Sequence, residues 1–138
     1  MIEQKAASKT LTLELLPNTL AVCKLDPTHS IPKWATSGEF YSVSKTPDEL
    51  SIVCDNNAVP EDVKAEREWR CFKVKGPLDF SLTGIFAALA NPLAQAGISI
   101  FAISTFDTDY LMVKNNLLNK AVQILLAVGH SVEDHRKS

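Results

Sequence analysis

The sequence has little of what marks membrane, secreted, nucleic-acid-binding or metal proteins. No apolar run approaches the roughly 20 residues that span a bilayer. The opening Met1-Ile2-Glu3-Gln4-Lys5 leads into alternating residues without a signal-peptide core, so a cytoplasmic location is expected. With 14 basic against 16 acidic residues the formal net charge is −2, and Lys and Arg are scattered. That leaves no footprint for a polyanion, and nucleic acid is not expected as a partner. The 3 cysteines, Cys23, Cys54 and Cys71, are odd in number, far apart and set among apolar neighbours, so they read as small buried hydrophobes rather than a disulfide framework. The 3 histidines, His29, His130 and His135, show no HxH or HxxxH spacing, and no metal site is expected. GxSxG, Walker A, HExxH and GxGxxG are all missing. No catalytic residues and no cofactor are therefore expected.

What is present is a dense series of short apolar patterns. Leu11 to Leu15 alternates with period two and predicts a strand, Pro17-Asn18 a turn, and Leu20 to Leu25 a second strand. Ile31 to Ala35 allows one or two helical turns. Strands are expected over Glu39 to Ser44 and Leu50 to Cys54, with Thr46-Pro47-Asp48 turning between them. The polar stretch Asp55 to Lys64 reads as a linker. Glu68 to Lys75 is a further strand. Leu82, Ile85, Phe86, Leu89, Leu93 and Ala96 then recur at the spacing of one helix face, with Ser81 as N-cap, Gly97 at the C-terminus and Pro92 as a bend. Ile98 to Phe106, apolar on both faces, reads as a central strand. Tyr110 to Lys114 is another, Leu117 to Leu126 a helix ending at Gly129, and residues 130–132 an edge strand.

The second half thus runs β-α-β-β-α-β. Sliding the chain by about 60 positions lays Val43-Ser44 on Ile103-Ser104, Glu49 on Asp109 and Ile52-Val53 on Met112-Val113. Two degenerate copies of one unit are expected, residues 1–65 and 66–138, the first having lost most of its first helix.

Three runs carry a family resemblance: Asp79 to Ile85, Pro92 to Phe101, and Ala102-Ile103-Ser104-Thr105-Phe106-Asp107-Thr108-Asp109-Tyr110. The chain resembles the ACT domain family, in the subfamily of small bacterial tandem-ACT proteins, aspartate kinase regulatory segments and the eukaryotic cytosolic arginine sensor. The likeness extends through Trp34 to Val53. It implies an α+β fold of two tandem ferredoxin-like (βαββαβ) units, antiparallel sheets with helices on one face. It also implies binding of an amino acid or similar metabolite, and a homodimer.

The residues themselves suggest where a ligand would sit. Ser81 to Ile85 lies at a strand-to-helix turn, whose free N–H groups and helix dipole suit a carboxylate. Gly84 lets a ligand approach the backbone closely. Thr105, Phe106, Asp107, Thr108 and Asp109 offer hydroxyls, an aromatic ring and two carboxylates for an ammonium or cationic group. The candidate ligand-binding set is therefore Ser81, Thr83, Gly84, Ile85, Thr105, Phe106, Asp107, Thr108 and Asp109. Plainer readings stand beside it: Ser81 as an ordinary cap, Gly84 as a packing residue, Asp107 and Asp109 as turn formers, Phe106 as core. Trp34 and Trp69 read as buried anchors, and the charges from Glu61 to Glu68 as a solvated face. The expected function is a cytosolic regulatory module that binds an amino acid. The alternatives are a ligand-free interaction or oligomerisation module and an enzyme.

Overall fold

A computed structural model describes residues 10–75 and 84–135. The chain forms two compact units that are interleaved in sequence. Asn18–Arg70 is inserted into a unit that takes the chain up to Pro17 and again from Cys71.

The inserted unit holds β1 (Thr12–Leu25) from Asn18 onward, β2 (Ser42–Lys45), β3 (Leu50–Asp55) and the first residues of β4 (Ala65–Val74), in the order β2-β3-β1-β4. β1 is one strand where two strands and a turn were expected. It pairs with β7 (Ser131–Asp134) through Leu15 and with β3 from Leu20, so the exposed Pro17 falls between the two ladders and its missing N–H costs neither a bond. Ala21 and Cys23 on β1 share a buried cluster with Leu50, Ile52 and Cys54 on β3, along with Ala35 and Val59. No α-helix covers it. The cover is two single 3-10 turns, Lys33–Thr36 and Asn56–Ala58. The stretch 55–64, read as a linker, lies inside this unit. It lacks apolar periodicity because polar bonds hold it: the Arg67 guanidinium donates to the carbonyls of Asn56, Val59 and Pro60 at 2.7–3.4 Å. Asn56 also locks onto β4, its amide donating to Glu68 Oε2 and its Oδ1 accepting from the Glu68 N–H, both at 3.0 Å. Glu68 takes φ +66, so these bonds secure a left-handed residue inside a strand.

The interleaved unit orders its strands β7-β1-β4-β6-β5, with β5 at Phe101–Ser104 and β6 at Asp109–Lys114. Two helices, α1 (Ile85–Gln95) and α2 (Leu118–Ala127), cover one face. Leu13, Leu15, Phe72, Val74, Leu111 and Val113 alternate toward Leu89, Leu93, Leu118, Ala121 and Leu125, giving the antiparallel sheet and one-sided helix layer of the ferredoxin-like fold. Fully burying each such side chain contributes roughly 1.5–3 kcal/mol. One pair departs from the antiparallel pattern: β7 runs parallel to β1, Thr12↔Ser131 to Leu15↔Asp134.

Several local expectations change. β5 is an edge strand, paired antiparallel with β6 alone and half-exposed, not a covered central strand. It starts late because Ile98 closes the preceding helix: the Ile98 N–H donates to the Leu93 carbonyl and the Gly97 N–H to Ala94, both at 3.0 Å, with Gly97 left-handed at φ +79. α2 ends the same way, His130 to Leu125 and Gly129 to Leu126. The N-cap of α1 is Gly84, not Ser81, which lies outside the described residues. Phe86, assigned to the core face, is 42% exposed.

Pro92 sits inside α1 and cannot donate to the Ala88 carbonyl. His130 takes over that role. Its ring, 4% exposed, accepts from the Leu11 N–H at Nδ1 (3.1 Å), which leaves the proton on Nε2 to be donated to the Ala88 carbonyl (3.1 Å).

The repeat is visible in the hairpins, offset by 59 positions rather than 60. Lys45 faces Leu50 where Ser104 faces Asp109, and Ser42 faces Val53 where Phe101 faces Met112. The one-residue correction matters because side chains alternate faces. At 59, core Ile52 and Cys54 fall on core Leu111 and Val113, whereas at 60 Ile52 falls on Met112, outside that cluster. The division into copies 1–65 and 66–138 stays a proposal about this duplication.

Candidate functional site

The expected site has two halves, and the structure describes them unequally. Ser81 and Thr83 lie outside the described residues. Gly84, exposed at φ +83, accepts the first helical bond from the Ala88 N–H at 2.9 Å, and Ile85 after it is buried. The first N–H groups of α1 have no acceptor within the helix itself. A Cβ on Gly84 would meet nothing within 4 Å, so the backbone dihedral, not crowding by the protein, requires glycine here. Gly84→Ala should therefore cost about 1 kcal/mol, and β-branched Gly84→Val roughly 2. Urea denaturation of the two variants checks that order.

The second half is a tight turn between β5 and β6. The Thr105 N–H donates to the Thr108 carbonyl at 2.8 Å, and its hydroxyl reaches the same oxygen at 3.1 Å. Asp109 accepts from the Ser104 hydroxyl at 2.7 Å across the strand pair. Phe106 is 80% exposed, so it is not core. Beside the turn, burial pushes the Tyr110 hydroxyl up, and Cys71 and Glu14 add to the shift.

The other copy is an internal control. Its turn at Thr46 to Glu49 is built alike: the Thr46 N–H donates to the Glu49 carbonyl at 2.9 Å, and the Thr46 hydroxyl accepts from the Asp48 and Glu49 N–H groups at 3.1 Å. Thr105 and Asp107 match Thr46 and Asp48, which is the turn chemistry both hairpins need. Phe106, Thr108 and Asp109 stand instead where the first copy has Pro47, Glu49 and Leu50. Leu50 is 1% exposed in its core; Asp109 puts a half-buried carboxylate at that position. Sequence reading missed Ser104, which orients this carboxylate, although it stands one residue before the chosen run.

Comparison with known proteins fits this architecture. Residues 64–127 match the family model of the ACT domain, and an N-terminal-domain model covers 18–62. The human cytosolic arginine sensor for mTORC1, subunit 1, is 33% identical over 133 residues, 84% of this chain and 40% of that one. The chain thus spans about 40% of the length of the arginine-sensor relatives it matches. A solved protein from Agrobacterium tumefaciens is 40% identical, with a TM-score of 0.87 over 91% of this chain and 94% of that one. The ligand-free regulatory subunit of aspartate kinase from Thermus thermophilus shares the fold at 10% identity, with a TM-score of 0.59 over 88% of this chain and 99% of that one. The chain belongs to the ACT domain family. These relatives are named as a sensor and, by fold, a regulatory subunit, rather than as catalytic domains.

Proposed function

We propose that this chain is a non-enzymatic regulatory module that binds a free amino acid or close analogue. The ligand carboxylate meets the backbone of Thr83, Gly84 and Ile85, with Ser81 in the same ligand-binding set. The ammonium or a cationic side chain meets Asp107 or Asp109, and Thr105, Phe106 and Thr108 line the wall. The observation that carries the reading is Asp109: at the position where the first copy buries Leu50, this copy keeps a carboxylate held by Ser104. Topology supports pairing the halves. One helix links β4 to β5 and must bring the chain back across the sheet, so its start and the β5–β6 turn share one end. Binding then changes the module's association with a partner or with a second copy as a homodimer.

A thermal-melt screen against the common amino acids tests this. The arginine for which the human relative is named makes cationic amino acids the first to try. Ligand at about a hundred times its Kd stabilises by roughly 2.7 kcal/mol, or several degrees in Tm. Asp109→Asn should abolish that shift while leaving the unliganded melt nearly unchanged. An equal shift in the variant would place the ligand elsewhere.

A second reading, a ligand-free interaction module, is favoured by the exposed rings of Phe86 and Phe106. No shift with any amino acid at millimolar concentration would establish it over the first.

A further inference from the structure

Two of the cysteines do more than fill space. In the register of β1 against β3, Cys23 lies opposite Ile52 and Cys54 opposite Ala21, so the two thiols are diagonal neighbours on the same face. Each is 2% exposed within the cluster of the inserted unit, and each thiol shifts the ionisation of the other. The fold does not demand a thiol there. The position that answers to Cys54 in the second copy is Val113, equally buried in its own core. The cluster is also lightly covered: where the other unit has two α-helices, this one has two 3-10 turns, and Arg67 holds the second by its carbonyls. Segments of that kind open locally at low cost.

We infer that Cys23 and Cys54 form an oxidisable dithiol, closed to an intramolecular disulfide by exchange with a small disulfide. The Cys23 thiolate attacks one sulfur of the oxidant, leaving a mixed disulfide and releasing one thiolate. Cys54 then loses its proton to solvent, and its sulfur attacks Cys23 Sγ, expelling the second. Two protein thiols are oxidised, and one small disulfide is reduced to two thiols. The surroundings set this order. The neighbouring Cys54 thiol draws the Cys23 thiol below its ordinary range, with help from the Arg67 charge and against burial. Cys54 is held up first by the neighbouring Cys23 and then by burial, and capping Cys23 removes the larger effect. Cys71, which burial alone pushes up to about 12, has no such partner chemistry and serves as the internal control.

The test treats the folded full chain with oxidised glutathione, quenches with acid, alkylates in denaturant and reads intact mass and peptide maps. The expected product has lost 2 of the 3 titratable thiols together, retains no glutathione and yields a Cys23–Cys54 linked peptide, with Cys71 still alkylated. In Cys54→Ser, glutathione should remain on Cys23, because nothing displaces it. Full alkylation of both thiols, a stable glutathione adduct on the unsubstituted pair, or linkage to Cys71 in similar yield would each overturn the inference.

Discussion

Replacing His130 with alanine is expected to lower Tm by on the order of 10 °C, a loss of roughly 3 kcal/mol. Two half-buried backbone groups lose their partner at once: the Leu11 N–H just before β1 and the Ala88 carbonyl in mid-helix. Leaving each unsatisfied costs about 1–3 kcal/mol. A void left by the ring adds to this. The assignment to Ala88 can be isolated with Pro92→Ala, which restores a backbone donor four residues on. That change should stabilise both backgrounds by removing proline from the helix, but by about 1 kcal/mol more when His130 is absent. Equal gains in the two backgrounds, read from chemical denaturation, would show that the histidine does not stand in for the missing helix bond.

The second large effect comes from exchanging residues between the copies. Leu50→Asp should cost at least about 4 kcal/mol: it forfeits roughly 2 kcal/mol of burial and places a carboxylate in a buried apolar cluster. Both tryptophans, Trp34 and Trp69, lie within Asn18–Arg70, so their fluorescence follows this unit directly. The mirror change, Asp109→Leu, should be neutral or stabilising by up to about 1 kcal/mol, because it completes a core face that Asp109 leaves half-open. It should also eliminate ligand stabilisation. A large loss of stability in Asp109→Leu would mean that the carboxylate and its Ser104 bond are structural, and would remove the main support for the proposed site.

What the sequence made legible follows from what periodicity can encode. α2 and β6 carry clean patterns, and each lies within a residue or two of its expected bounds. The two helix-ending glycines were readable because a left-handed residue at that place has almost one chemical solution. β1 was divided because Pro17 signals a turn in any local window. Only the positions of β7 and β3 along that strand show that its N–H is not needed. The 55–64 stretch looked like a linker because Arg67, Asn56 and Asp55 hold it through polar bonds, which leave no periodic trace. β5 was read as central because a short apolar run does not say which side faces a neighbour. In the candidate site the turn was found by composition, yet composition weighed Thr105 and Asp107 equally with Asp109. Only the matching hairpin at Thr46 separates residues that make the turn from those that depart from it.

Interleaving also fixes the order in which the molecule can be made. The segment 18–70 is contiguous and carries its own core, so it is complete once residue 70 has left the ribosome. The other unit is not. Its first strand waits for a partner at Ser131–Asp134, and the Leu11–His130 bond closes a separation of 119 residues. Contacts that distant must overcome the largest loop entropy and form late, so refolding should show a fast phase in tryptophan fluorescence and a slower one elsewhere. Until β7 arrives, the β1 edge from Thr12 to Leu15 has no strand on that side, and chains stalled before residue 131 are the ones most exposed to edge pairing with one another.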